Sequence, residues 1–270
     1  MQESRRHTEL HEGHPSPSFM TFPRRLLPAA RSLVVALALL IPSSPAFAKE
    51  KSAGWKLPEK AALLLLVPSP PAMGSAGEQA DLDGVLAMQF NPSPEVLAHA
   101  EQTVGFTVFA FSDVLGADFN AEFYPKTAEF FDRLEATANQ QKNFLKDTYR
   151  RIRPYRAFPE QVKALVTKEE GYSYPSGHST RAWLFALVLG ALDQGNRNAY
   201  LASAMQVCQD RVIGGMHYPS DVLESRILAE EIYRDLLSNK EFMNDLEKIH
   251  QAEWIPKNNS AGPKPSVKTP

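Results

Sequence analysis

At 270 residues the chain is long enough for one large domain or two small ones, and its 43 % hydrophobic and 22 % charged content is that of a soluble globular protein. A formal net charge of −2 excludes the broad positive field by which proteins hold nucleic acid, though it leaves room for a local basic cluster that binds phosphate. Cys208 is the only cysteine, so no disulfide can close within the chain; beside Ala204, Val207 and Val212 it reads as core filler.

In chain order, Arg24, Arg25 and Arg31 precede an apolar run at 33–41 that Pro42 breaks, and Ala46-Phe47-Ala48 is a small-x-small cleavage site. This is the order of a secretory signal peptide, and the run falls short of the roughly 20 residues a spanning helix needs. Residues 1–48 are therefore expected to be a leader, with Met20 an alternative start. The mature chain is expected to begin near Lys49 and to keep no stable insertion in a membrane. Residues 49–74 read as an extended, proline-rich arm ending in Pro68-Ser69-Pro70-Pro71.

From residue 75 onward almost every segment predicts helix. Ser75 and Glu78 form a capping-box pattern. Ser93-Pro94-Glu95 starts another helix with Pro at its first position, and the apolar run 96–111 is expected to be buried. Pro125 opens a segment carrying Phe130, Phe131 and Leu134, which continues through the charged stretch 143–150 until Pro154 stops it. The amphipathic stretch 159–170 predicts a helix that Gly171 ends. Over 179–192, Trp183, Leu184, Leu187, Val188 and Ala191 share one broad face. Helices follow over 196–213, over 219–237 with Leu223, Ile227 and Leu236 inward, and over 240–253. With no alternating strand run, hairpin signal or repeat, the fold class is all-α: a single helical domain over 75–255. The polar, Pro-rich tail at 256–270 is expected to be disordered.

Three islands hold the chemistry. The first runs from Lys146 to Arg153 and Pro154, the second is Pro175-Ser176-Gly177-His178, and the third holds Asp210, Arg211, Gly214, Gly215, His217 and Asp221. Pro175-Ser176-Gly177 is a turn leading into a helix, where free backbone N–H groups and a hydroxyl can bind an anion. His178 stands at that mouth, suited to acid or base work. His217 and Asp221 lie four apart, so a carboxylate can fix the tautomer of the imidazole and leave its other nitrogen free to attack. By itself such a pair reads sooner as a surface contact. Lys146, Arg153 and Arg211 supply positive charge of the kind phosphoryl transfer needs, while Arg150 and Arg151 read as a solvated face.

Together the islands resemble the signature of the type 2 phosphatidic acid phosphatase superfamily, K-x6-R-P, P-S-G-H and S-R-x5-H-x3-D. Within it, the stretch from Tyr172 to Ser179 is similar to the G-S-Y-P-S-G-H-T motif of the bacterial class A non-specific acid phosphatases. The resemblance implies an acid phosphatase of the acid phosphatase/vanadium haloperoxidase fold type, located in the periplasm. It implies hydrolysis of small-molecule phosphate monoesters without metal or other cofactor, and without nucleic acid as partner; it also suggests a homo-oligomer. It assigns the phosphate oxygens to Lys146, Arg153, Arg211, Ser176 and Gly177. It makes His217 the nucleophile that becomes a phosphohistidine, His178 the acid and then the base, and Asp221 the holder of His217. The chain departs from the pattern at Asp210, where the family has Ser. That carboxylate either weakens phosphate binding or turns away to pair with Lys146 or Arg150.

Alternatives stay open within the same site: a phosphotransferase, a lipid-phosphate phosphatase or a vanadium haloperoxidase. Outside it stand a non-catalytic phosphate-binding protein and a metallohydrolase. After the leader only His99, His178, His217 and His250 remain, and none forms the close helical pair that metal sites favour.

Overall fold

The computed structural model describes residues 54–58 and 60–255. The expected leader, the start near Lys49 and the expected tail lie outside the described residues. Among these, ten α-helices follow one another: α1 Leu63–Leu66, α2 Ala76–Met88, α3 Pro94–Gln102, α4 Ser112–Leu115, α5 Pro125–Tyr149, α6 Pro154–Ala157, α7 Gly177–Leu192, α8 Arg197–Ile213, α9 Pro219–Leu237 and α10 Lys240–Ile249. Tight turns at Lys60–Ala62, Thr103–Gly105, Val108–Phe111 and Gln194–Asn196 link them, and a wide turn at His250–Trp254 follows α10. Every regular element described is helical, as the patterning requires. None is long and apolar enough to cross a membrane.

The fold is built around α7. Its run of Ala, Trp, Leu, Phe and Val is apolar on every side, and α5, α8 and α9 pack against it. Phe185, Ala186 and Leu189 are therefore buried along with Trp183, Leu184 and Val188, while Ala191 is exposed. The single broad face read from the sequence is thus nearly a full circumference. In α9, Leu228, Ala229, Ile232 and Leu236 face inward and Leu223 faces solvent, not the core. Over 96–111 burial is partial: Ala100, Phe106, Val108 and Phe111 are covered, but Val96 is exposed, because the segment breaks into short turns. Cys208 is buried, and burial pushes its thiol up to about 11, the behaviour of core filler.

The described part of the arm is not simply extended. It carries α1, and Trp55 packs against Phe130 and Phe242 with ring centroids 5.0 and 5.1 Å apart. The Trp55 backbone N–H donates to Thr137 Oγ1 at 2.9 Å. At the start of α2, Ser75 Oγ accepts from Glu78 N, but the Glu78 carboxylate accepts from Gly74 N at 2.6 Å and not from Ser75 N. Ser75 N already donates to Ala72 O, so the next free donor is one residue earlier.

Two corrections bear on the site. First, α5 ends at Tyr149, where Arg150 takes a left-handed conformation (φ 50°) and its N–H donates to Lys146 O. Pro154 starts α6 and does not end α5. Second, 159–170 is not a helix: beyond the turn at 159–161 the chain runs without regular structure to Gly171. Its backbone groups find partners elsewhere in the fold. Lys163 N donates to Gln89 Oε1, Leu165 N to Gly214 O, and Thr167 N to Glu101 Oε2. Tertiary partners replace the i→i−4 ladder, so amphipathic spacing alone misleads here. Gly215 makes this path possible. It holds φ +74°, and a Cβ there would collide with the Lys163 carbonyl.

Candidate active site

The three islands meet at the N-terminus of α7. Ser176 caps that helix, its Oγ accepting from Ser179 N at 3.3 Å and from Ser179 Oγ at 3.0 Å. Gly177 is the first helical residue, and a Cβ there would press on the Lys142 side chain at 3.1 Å. In front of them is a cavity of 450 Å³, lined by Lys146, Arg153, Glu169, Gly177 and His178. Lys142 and Arg181 stand among its outer residues.

His217 lies between α8 and α9, and is fully buried. The bend at Gly214 and Gly215 brings its backbone N–H back to Arg211 O. Its Nδ1 is 3.4 Å from Asp221 Oδ2. Its Nε2 is 3.0 Å from Arg153 Nη1. An arginine N–H can only donate, so Nε2 is the acceptor and the ring proton sits on Nδ1, facing the carboxylate. The single lone pair of Nε2 is therefore engaged by the Arg153 N–H, and is released only if that guanidinium turns to another acceptor. Burial and the Arg153 charge hold the His217 pKa below its ordinary value, against the pull of Asp221 and Glu169. The pair is therefore a buried site and not a surface contact.

Asp221 is itself held from three sides. Oδ2 accepts from Tyr218 N at 2.9 Å, and Oδ1 accepts from Arg151 Nη1 at 2.7 Å. Burial works to raise its pKa, but the hydrogen bond to His217 and the charge of Arg151 win, and the group lies below the usual carboxylate range. Of the two arginines expected on a solvated face, only Arg150 is exposed. The Arg151 guanidinium also donates to Ser220 Oγ and to Asp81 Oδ2, at 2.8 and 2.7 Å, and sits 3.8 Å over the Tyr218 ring. Asp81 arrives from α2, which approaches Pro219 closely because residue 84 is Gly; a Cβ there would lie 2.7 Å from Pro219 Cγ. One sequence signal could have found Arg151. Arg151 stands two positions before Arg153, and the residue preceding Pro154 is biased to the extended region, where alternate side chains point the same way. Nothing in the sequence marks Asp81.

His178 Nε2 is 2.9 Å from Val104 O, and Nδ1 is 3.1 Å from Glu169 Oε1. Both partners are acceptors, so Nδ1–H points into the cavity. Lys146 lines the same space, but Nζ donates to the carbonyls of Tyr172 and Ser173. Burial first, then Arg153 and Lys142, push its pKa down to about 7. Ser176 stands behind Gly177 as the helix cap and does not line the cavity.

Asp210 turns away from the cavity, but toward neither Lys146 nor Arg150. Oδ2 accepts from Thr103 Oγ1 at 3.0 Å and lies 3.0 Å from His99 Nδ1, and Oδ1 accepts from Gln206 Nε2 at 3.2 Å. Thr103 Oγ1 in turn accepts from Arg211 Nη2 at 2.9 Å, so Asp210 braces Arg211 from behind. Replacing Asp210 with Ser is expected to cost about 1–3 kcal/mol in stability by leaving buried donors unpaired. It should change the inhibition constant for inorganic phosphate by less than about threefold. Chemical denaturation and inhibition by phosphate check both parts, and a tenfold tightening of phosphate would mean that the carboxylate acts on the cavity directly.

The residue that sequence reasoning missed altogether is Glu169. It lies in the stretch expected to be helical, and its carboxylate sits among the expected phosphate-binding groups. Oε2 is 3.0 Å from Arg153 Nη2 and 3.7 Å from His217 Nε2; Oε1 is 3.1 Å from His178 Nδ1 and 3.4 Å from Arg211 Nη1. Burial would raise its pKa, but contact with His178 and His217 more than offsets this and keeps the carboxylate ionised. The arrangement is a built anion site, with two arginines and an imidazole donor around one anionic group. Among the described residues no cluster of His, Cys, Asp and Glu is disposed to hold a metal ion.

An all-α fold with a buried histidine facing an arginine-lined anion pocket defines the class. The sequence profile of the PAP2 superfamily matches residues 135–232, which span all three islands. A non-specific acid phosphatase of Providencia stuartii is 31 % identical over 195 residues, covering 68 % of this chain and 78 % of that protein. A non-specific acid phosphatase of Salmonella typhi is 32 % identical over 161 residues, covering 55 % of this chain and 61 % of its own length. Among solved structures, a transmembrane PAP2-type phosphatidylglycerolphosphate phosphatase from Bacillus subtilis aligns with a TM-score of 0.45 at 23 % identity, covering 70 % of this chain and 91 % of that one. The chain belongs to the PAP2 superfamily and, within it, to the class A non-specific acid phosphatases.

Proposed function

We propose that this protein is an acid phosphatase that hydrolyses small phosphate monoesters in two steps through a phosphohistidine on His217, without a metal ion. The observation that carries the reading is the state of His217, with its proton on Nδ1 toward Asp221 and its unprotonated Nε2 on Arg153, 3.7 Å from the carboxylate in the anion site, so that a phosphate drawing Arg153 to its own oxygens frees the nitrogen beside phosphorus. In the first step Nε2 bonds to phosphorus as the ester P–O bond breaks, and His178 Nδ1–H passes its proton to the departing oxygen. Asp221 stabilises the positive charge that develops on the imidazole. In the second step His178 takes a proton from water as the oxygen attacks phosphorus, and the P–N bond breaks to return His217. Arg153 and Arg211 hold the equatorial oxygens, where charge builds up. Lys146 and the Gly177 N–H complete the set of phosphate donors in this reading, while Ser176 fixes the start of α7 behind them.

The state of the two histidines fixes the pH dependence. His217 must be neutral and His178 protonated, so kcat/KM is expected to be bell-shaped. Activity is lost as pH falls through the pKa of His217. Because burial and Arg153 depress that pKa, the acid limb is expected below the ordinary imidazole value of about 6.5. Hydrolysis of p-nitrophenyl phosphate across pH, with and without EDTA, tests the reading. Loss of activity in EDTA, or a monotonic rise into alkaline pH, would sink it, and absence of turnover would leave only a phosphate-binding protein. Adding an alcohol and measuring the phosphorylated alcohol separates hydrolysis from phosphotransfer. The periplasm as the location belongs to the same reading and rests on the signal-peptide pattern of the sequence at 24–48.

A further inference from the structure

Among the side chains that line the cavity before His178 and play no part in the proposed reaction, one reaches its catalytic groups. Glu169 engages the same four groups the reaction needs, namely Arg153, Arg211, His178 and His217, at 3.0 to 3.7 Å. Arg153 and Arg211 are buried, and a carboxylate and a phosphate cannot both occupy the space between them. The two anions therefore compete for one site.

The chain around Glu169 is made to hold that side chain at the cavity wall. Tyr155 Oη donates to the Glu169 carbonyl and Arg153 Nη2 donates to the Glu170 carbonyl, both at 3.1 Å. Upstream, Leu165 and Thr167 are tied to Gly214 and Glu101. The backbone is thus anchored on both sides of the residue, and the side chain alone is left to rotate. It remains 18 % exposed toward the cavity, so its carboxylate has a path outward.

We propose that Glu169 is an internal occupant of the phosphate site, a specificity-determining carboxylate that a substrate phosphate must displace before His217 can reach phosphorus. The inference rests on the phosphatase reading above. Its consequence follows from competition: the observed affinity for phosphate is the intrinsic affinity reduced by the fraction of molecules in which Glu169 has swung out. The device also selects for charge. A dianionic phosphate gains more from two arginines than a single carboxylate does and can evict Glu169, whereas a monoanion such as acetate cannot.

The test is calorimetric titration of the full chain with inorganic phosphate, in wild type, Glu169→Gln and Glu169→Ala, alongside kcat/KM for p-nitrophenyl phosphate. Phosphate is expected to bind both variants at least about tenfold more tightly, with kcat/KM rising in step. Unchanged or weaker phosphate binding, or a fall in kcat/KM, would overturn the inference and make Glu169 a positioning residue for His178. If either variant fails to fold, Glu169→Asp, one methylene shorter and unable to span Arg153 and His178 together, is expected to give an intermediate gain, and no gain overturns the inference. The titration needs no turnover. A wild type that binds phosphate without hydrolysing the ester defeats the phosphatase reading alone, and a hydrolysing wild type whose variants bind phosphate no better defeats this inference alone.

Discussion

Replacing His217 with Ala is expected to lower kcat on p-nitrophenyl phosphate by at least about 10⁴-fold, the scale of loss when a covalent nucleophile is removed. The reason lies in the geometry and not in the residue type. His217 Nε2 is the one unprotonated nitrogen facing the anion site, and its partner nitrogen is committed to a buried carboxylate. The arginines would still bind phosphate in the variant, so KM should change far less than kcat. Rapid quenching during turnover is expected to trap an acid-labile phosphoenzyme in wild type and none in His217→Ala. A phosphoenzyme in both proteins would place the nucleophile elsewhere. Loss of phosphate binding together with activity would mean that the substitution had collapsed the pocket.

The second large effect is expected at a residue that touches no substrate. Arg151→Ala should destabilise the protein by about 3–5 kcal/mol, the usual cost of removing one partner from a buried ion pair. Arg151 is nearly buried and bridges Asp81 on α2 to Asp221 on α9, so its loss leaves two enclosed carboxylates facing each other without a cation. For a domain of this size that corresponds to a fall in Tm of roughly 10 °C. Arg151→Lys should recover only part, because one ammonium cannot reproduce the two-pronged contact or the stacking over Tyr218. Arg150→Ala, one position away and exposed, is expected to shift stability by no more than about 0.5 kcal/mol. Thermal unfolding of the three variants checks this, and equal small effects at 150 and 151 would return Arg151 to the surface. The activity of Arg151→Lys should also fall, since Asp221 then orients His217 less firmly.

The family and most of the chemistry were legible in the sequence because they are carried by short-range patterns. The His217–Asp221 spacing, the Pro175–His178 turn and the Lys146–Arg153 interval each lie within one or two turns of chain, where local geometry follows from residue type. The starts of α3 and α9 were equally local, since Pro stands at the first helical position of both. Which residue serves as helix cap, and which as phosphate donor, was already a tertiary matter at Ser176.

What only the tertiary structure decided are the contacts between segments far apart in the chain. Arg151 looked like one charge in a solvated run until Asp81, seventy residues upstream, and Asp221, seventy residues downstream, closed over it. Asp210 looked like a threat to the phosphate pocket until Thr103 and His99 drew it to the far side of Arg211. Glu169 lay in a stretch whose spacing said helix. Gln89, Glu101 and Gly214 took over its backbone hydrogen bonds and kept it from coiling, which delivered a carboxylate to the anion site. By itself the sequence determined which groups could do phosphoryl chemistry, because that depends on residue type and near-neighbour spacing. The fold decided how those groups are held and what sits among them, because buried charges must find partners, and the partners come from wherever the packing brings them.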